Sequence, residues 1–105
     1  MNEINRSESC NINQCDLSTG IDQLKSRWMG GVILSLHESD KRFSSLENNF
    51  PFMTSGQLNR TLRQAIDNRL IEKKELAYTL TAKGQAAAQL YMAIEQWVMT
   101  FDAQP

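Results

Sequence analysis

Apolar positions along this chain fall into blocks of different period, and the periods predict its elements. Leu58, Leu62, Ala65 and Ile66 recur at spacings of three and four, the interval that aligns side chains on one face of an α-helix. Leu58, Leu62 and Ile66 are expected to bury, leaving Gln57, Asn59, Arg60 and Arg63 to solvent. Thr54 followed three residues later by Gln57 makes a capping box, in which the threonine oxygen accepts from an orphan amide and the glutamine reaches back to the cap. The stretch 54–73 therefore reads as one capped amphipathic helix. Its last residues also take part in a period-2 pattern: Leu70-Ile71-Glu72-Lys73 and Leu76-Ala77-Tyr78-Thr79-Leu80 alternate around Lys74 and Glu75, which predicts a hairpin beside the helix.

Upstream, a short helix is expected from about Cys15 to Leu24, then a second, apolar one through Trp28, Val32, Ile33 and Leu36. Gly30 and Gly31 inside the second helix imply either close packing against another helix or a bend, since each glycine costs roughly 1 kcal/mol relative to alanine in a helix interior. Ser44 with Glu47 forms a second capping box, opening a helix through Leu46 to about Asn49 that Phe50-Pro51-Phe52 stops. A helix, a short proline-containing turn and a second capped helix make a helix-turn-helix. From Thr81 or Ala82 to about Phe101, Ala87, Leu90, Tyr91, Ile94, Trp97, Val98 and Phe101 form a further stripe. This helix either folds back on its own core or supplies a homodimer interface; the breadth of the stripe favours the dimer.

The chain has 105 residues, enough for one domain with one core, and residues 15–105 are expected to form it. Residues 1–14 are rich in Asn, Ser and Glu and read as a mobile arm. Net charge is -1, which excludes a polycation that coats nucleic acid nonspecifically. The distribution is uneven: over 54–83 the cations Arg60, Arg63, Arg69, Lys73, Lys74 and Lys83 face the anions Asp67, Glu72 and Glu75, leaving +3 on a body that is otherwise acidic. No apolar run long enough to span a membrane and no apolar leader is visible, so the chain is expected to be cytoplasmic with no membrane partner. Cys10, Cys15 and His37 are the only cysteines and histidine, too few for a four-ligand zinc site in one subunit; no metal or other cofactor is expected.

Amides and guanidinium groups are the side chains that pair with base edges in the major groove and with phosphate oxygens. On this ground the DNA contacts are assigned to Ser55, Gln57, Asn59, Arg60 and Arg63 on the helix and Lys73 and Lys74 on the hairpin. Gln, Asn and Arg are also ordinary solvated helix residues, so the flanking sequence carries part of the weight. No nucleophile-base pair or glycine-rich phosphate loop appears, and His37 beside Glu38 reads as a solvated cation near a helix end; no enzyme is expected.

An ordered series of residues resembles the HxlR-type branch of the winged-helix regulators, related in architecture to the MarR-like proteins. Cys15 stands thirteen positions before Trp28, which opens the run Trp28-Met29-Gly30-Gly31-Val32-Ile33-Leu34-Ser35-Leu36. Arg42-Phe43 and Leu46 follow, then Arg69-Leu70-Ile71, then Tyr78-Thr79-Leu80-Thr81 with Gly84, and finally Trp97. The series covers residues 15–98. The resemblance implies a mainly α fold with a small β-hairpin, a winged helix-turn-helix dimerising through its N- and C-terminal helices, that regulates transcription by binding double-stranded DNA. It puts Leu90, Tyr91, Ile94, Trp97, Val98 and Phe101 at the dimer interface. By the same matching, Cys15 falls where several family members sense oxidants or electrophiles. A helix-start thiolate is favoured by the helix dipole while the neighbouring Asp16 opposes it, and a lone cysteine can equally be a small buried hydrophobe. Cys10 could resolve a Cys15 intermediate only by approaching it closely.

Two departures from the family pattern stand out. The wing is short, with only Lys74 and Glu75 available for its turn, and neither suits the positive φ of tight hairpin turns. The Gly30-Gly31 pair replaces bulkier helix formers. The short wing and acidic balance leave an alternative function, a winged-helix protein-interaction module or antagonist with little DNA binding. Such a module needs an apolar anchor on the exposed helix face, and 54–68 shows none outside the Leu58/Leu62/Ile66 stripe.

Overall fold

The computed structural model describes residues 15–102. The N-terminal arm read from 1–14, and Cys10 within it, lie outside the described residues. The elements are α1 (Asp16–Leu24), α2 (Met29–Glu38), β1 (Lys41–Arg42), α3 (Phe43–Asn49), α4 (Ser55–Asp67), β2 (Ile71–Lys74), β3 (Ala77–Leu80) and α5 (Ala82–Phe101). This is the winged helix-turn-helix order, α3 and α4 forming the motif and β2–β3 the wing.

Helix α2 is the centre of the core. Met29, Val32, Ile33 and Leu36 are buried along it and meet Leu46 of α3, Leu58 and Leu62 of α4, Ile71 and Leu80 of the strands and Ala87 and Ala88 of α5. The Gly30-Gly31 pair serves close packing: α2 runs unbroken, and a Cβ on Gly30 would lie 3.2 Å from the Tyr91 ring of α5, one on Gly31 3.0 Å from Phe50. The Tyr91 hydroxyl donates to the Leu24 carbonyl at 2.8 Å, so this ring joins α5 to both N-terminal helices.

Four details differ from the sequence expectation. The hairpin is part of a three-stranded antiparallel sheet of order β1-β3-β2, with Lys41 paired to Tyr78 and Arg42 to Ala77. Because β1 ends at Arg42, α3 starts at Phe43, and Ser44 sits inside its first turn; no side chain caps α3, and the Ser44/Glu47 box does not form. Ile66 is 40% exposed, while Thr61 and Ala65 are buried with Leu58 and Leu62. Those four positions span i to i+7, and the next step of the helix turns Ile66 off their stripe.

The fourth difference is the end of α4, which stops at Asp67 rather than continuing to Lys73. Arg69 adopts φ 64°, its amide donates to Ile66 O at 2.9 Å, and the Leu70 amide donates to Ala65 O at 2.8 Å. That pair of bonds is a Schellman motif, with an arginine at the left-handed position where glycine is usual. The Leu70 carbonyl then accepts from the Thr81 amide at 3.0 Å and the Thr81 hydroxyl at 3.1 Å, while the same hydroxyl reaches Arg69 O at 2.6 Å. Thr81 Oγ1 also accepts from the Gly84 amide and so caps α5. A Cβ on Gly84 would overlap the Leu70 carbonyl.

Two predictions follow from this packing. Gly84→Ala should lower unfolding free energy by about 3 kcal/mol, the upper part of the range for overpacking, because the atom it meets is backbone and cannot rotate away; chemical denaturation measures it. Burial pushes the Tyr91 hydroxyl from its ordinary 10.0 up to about 12. Between those values the folded protein keeps a proton that the unfolded chain has lost, so stability is complete below pH 10 and falls as pH rises towards 12. Tyr91→Phe should flatten that part of a stability-against-pH curve.

Candidate nucleic-acid interface

The exposed face of α4 is assembled by its own cap and by α3. Thr54 Oγ1 accepts from the Gln57 amide at 3.0 Å, and Gln57 Oε1 accepts from the Thr54 amide at 2.9 Å, so the capping box read from the sequence is complete. A cap of this kind contributes about 1 kcal/mol. Ser55 donates its hydroxyl to Glu47 Oε2 at 2.6 Å and thereby ties the start of α4 to α3. The carboxylate foreseen as part of an α3 cap thus clamps the two helices of the motif together. Thr61 turns its hydroxyl back to the Gln57 carbonyl, a buried polar group satisfied within the helix.

The predicted contact residues divide accordingly. Asn59, Arg60 and Arg63 are exposed along the outer face, with no ion pair between them and an acidic neighbour among the described contacts. Gln57 is half-buried and its oxygen is engaged by the cap, which leaves its Nε2 as the outward donor. Ser55 is exposed but already committed to Glu47. In the wing, Lys73 pairs across the hairpin with Tyr78 and its Nζ lies 5.5 Å from that ring centre, a cation–π contact, while Lys74 Nζ lies 3.9 Å from Glu72 Oε1. Lys74 pairs with Ala77, so the turn consists of Glu75 and Leu76, one residue further on than Lys74 and Glu75. Glu75 takes φ 56°, the positive angle that a tight hairpin demands and that a glutamate adopts only under strain.

Beside the assigned Lys73, residues absent from the sequence-based assignment also reach this side. Ile66, Arg69, Ile71, Glu72, Lys73, Thr81 and Lys83 line a groove of about 530 Å³ between the end of α4, β2 and the start of α5. Lys83 donates to the Asn68 carbonyl at 2.8 Å across this junction. Both cations were counted in the basic segment, but nothing in a helical reading to Lys73 brings Arg69 and Lys83 together; the left-handed residue does that.

On the far side, Leu90, Ile94, Trp97, Val98 and Phe101 are exposed along α5, Trp97 at 62% and Phe101 at 67%. Leu90, Ile94 and Trp97 of this stripe, with Leu17, Gly20 and Ile21 of α1, border an apolar groove of about 570 Å³. Tyr91, assigned with them to the interface, spends its ring and hydroxyl on the intramolecular contacts already described. Cys15 is the half-buried N-cap residue of α1, makes no side-chain cap bond and is disulfide-bonded. His37, in the last turn of α2, places Nδ1 3.2 Å from Gln85 Oε1.

Known proteins share this arrangement. The regulator YodB of Bacillus subtilis is 26% identical over 92 residues, covering 81% of this chain and 82% of its own. The crystal structure of quinone-bound YodB superposes with a TM-score of 0.77 at 27% identity, covering 81% of this chain and 97% of that one. The redox regulator HypR in its oxidized form has the same fold, with a TM-score of 0.75 at 18% identity over 82% of this chain and 96% of that one. The sequence model of the HxlR-like helix-turn-helix family matches residues 23–104. The chain belongs to that family, and it is a transcriptional regulator of the HxlR/MarR type rather than an enzyme.

Proposed function

We propose that this protein is a cytoplasmic homodimer that binds a specific DNA sequence through α4 of each subunit, reading half-sites roughly 34 Å apart, and that Cys15 makes binding responsive to oxidants or electrophiles. The observation that carries the DNA reading is the preset face of α4. Its start is fixed by a complete capping box and by the Ser55–Glu47 bond, so Asn59, Arg60 and Arg63 project from a helix that needs little ordering on contact. Arginine offers two donors in the geometry of guanine O6 and N7, asparagine the complement of adenine, and Gln57 retains one outward donor. Lys73 and Lys74 supply phosphate contacts from a wing that Glu72 and Glu75 partly neutralise.

The dimer is supported by the amount of apolar surface that α1 and α5 leave uncovered, which exceeds the scattered exposed residues usual on a small monomer. The sensing role is supported by the place of Cys15 at the first turn of α1, whose Asp16, Leu17 and Ile21 border that same groove, and by YodB having been solved with a quinone bound.

Three measurements test these proposals. Arg60→Ala should weaken binding to a selected duplex about five- to 150-fold, the equivalent of about 1–3 kcal/mol for a lost bidentate contact; unchanged fluorescence anisotropy at fixed salt would remove Arg60 from the interface. Trp97→Glu should convert a dimer to a monomer in sedimentation velocity, whereas a wild type that sediments as a monomer contradicts the dimer. Diamide or a quinone should change the DNA affinity of the reduced wild type and leave Cys15→Ser unmoved; an equal response in both would assign the sensitivity elsewhere.

A further inference from the structure

The C-terminal end of α4 carries two features that the helix-turn-helix scaffold does not need. Arg69 holds a backbone angle that glycine enters freely and a residue with a Cβ enters at a cost, yet a guanidinium is placed there. Ile66 is apolar and exposed where a polar residue would satisfy the helix equally well. Both line the groove between α4, β2 and α5, in which Arg69, Lys73 and Lys83 face one carboxylate, Glu72, whose Oε1 lies closer to Lys74 outside the groove wall. Left-handed residues other than glycine persist where their surroundings hold them and cluster at ligand clamps. Here the Schellman bonds and the Thr81 hydroxyl on Arg69 O do the holding.

We propose that this groove binds the sugar-phosphate backbone of DNA beside the major groove, with Arg69, Lys73 and Lys83 donating to phosphate oxygens and Ile66 packing on deoxyribose. The proposal rests on α4 being the DNA-reading helix. Its location follows from helical geometry: Asn59, Arg63 and Ile66 stand at i, i+4 and i+7, so one flank of α4 runs from two assigned contact residues directly into the groove. Its chemistry follows from the donors. A guanidinium offers five N–H groups in a planar fork matched to phosphate, and an ammonium adds point charge. Thr81 and Lys83 are anchored by their bonds to Arg69 O, Leu70 O and Asn68 O, which keeps the far wall of the groove at fixed distance from α4. Contacts of this kind set register and contribute affinity without reading sequence.

The strain at Arg69 supplies a test that a merely structural role fails. A duplex is first recovered from a random DNA pool by the full-length reduced protein, and its binding is compared with that of a scrambled duplex across a salt series. Arg69→Gly should raise the thermal midpoint, because glycine relieves the backbone, and should nevertheless weaken binding to both duplexes about three- to tenfold, with the salt slope reduced by about one phosphate contact. Lys83→Gln should reduce affinity and slope in the same way, and Arg69→Lys should restore most of the slope. The preference for the selected over the scrambled duplex should survive in each variant. An Arg69→Gly protein that is more stable and binds with wild-type affinity and slope overturns the groove as a phosphate site, as does a loss confined to the selected duplex. Arg60→Ala separates the two levels: if it impairs binding while the groove variants do not, only the groove fails; if neither does, the DNA reading itself fails.

Discussion

Leu70 is the residue on which the arrangement of helices depends. Its amide closes the end of α4, its carbonyl accepts both donors of Thr81, its side chain is buried, and the missing side chain of Gly84 lets the first turn of α5 settle against its backbone. An unmade hydrogen bond at such a buried backbone site costs about 1–3 kcal/mol, so the native junction keeps each of them. The angle between the helix proposed to read DNA and the helix proposed to pair subunits is consequently constrained by these bonds to the Leu70 backbone as well as by the packing of both helices on α2.

Each side of the molecule has its own physical character. The face formed by α4 and β2 is basic and polar, built from side chains whose positions are fixed by caps and clamps; the face formed by α1 and α5 is apolar and open. Tyr91 lies between them, its ring against Gly30 and its hydroxyl on Leu24, and so ties the apolar face to the core helix. The C-terminal end of α1 is thus joined to α2 by this ring and by Leu24, which packs against the core, and α2 carries the side chains on which α4 rests.

Much of this was legible in the sequence because helices of three or more turns impose a period that survives in the residues. The stripes of α2, α4 and α5, the Thr54 cap and the hairpin alternation are all of this kind. What escaped was written in fewer residues than a period needs. Two-residue β1 has no alternation to detect, and by ending at Arg42 it moves the start of α3 and voids the Ser44 box, freeing Glu47 to bind Ser55. Arg69 gave no warning because left-handed helix ends are recognised by glycine, and Ile66 misled because its spacing from Leu62 is helical while its angle from Leu58 is not. For the candidate site, residue types were readable from composition and the helix face; which atoms are already engaged, as in Gln57 and Ser55, required the folded cap.

The two-residue turn at Glu75 and Leu76 limits how far the wing can reach. With four residues in each strand at about 3.3 Å per residue, the hairpin extends roughly 13 Å. A recognition helix seated in the major groove has its neighbouring minor groove half a helical turn away, roughly 17 Å along the axis. On the proposed mode of binding, the stub stops at the intervening backbone. Narrow A-tract minor grooves, whose negative potential attracts inserted cations, would then lend this regulator little of its selectivity, and its operators would be free to vary in the flanks beyond the reach of the stub.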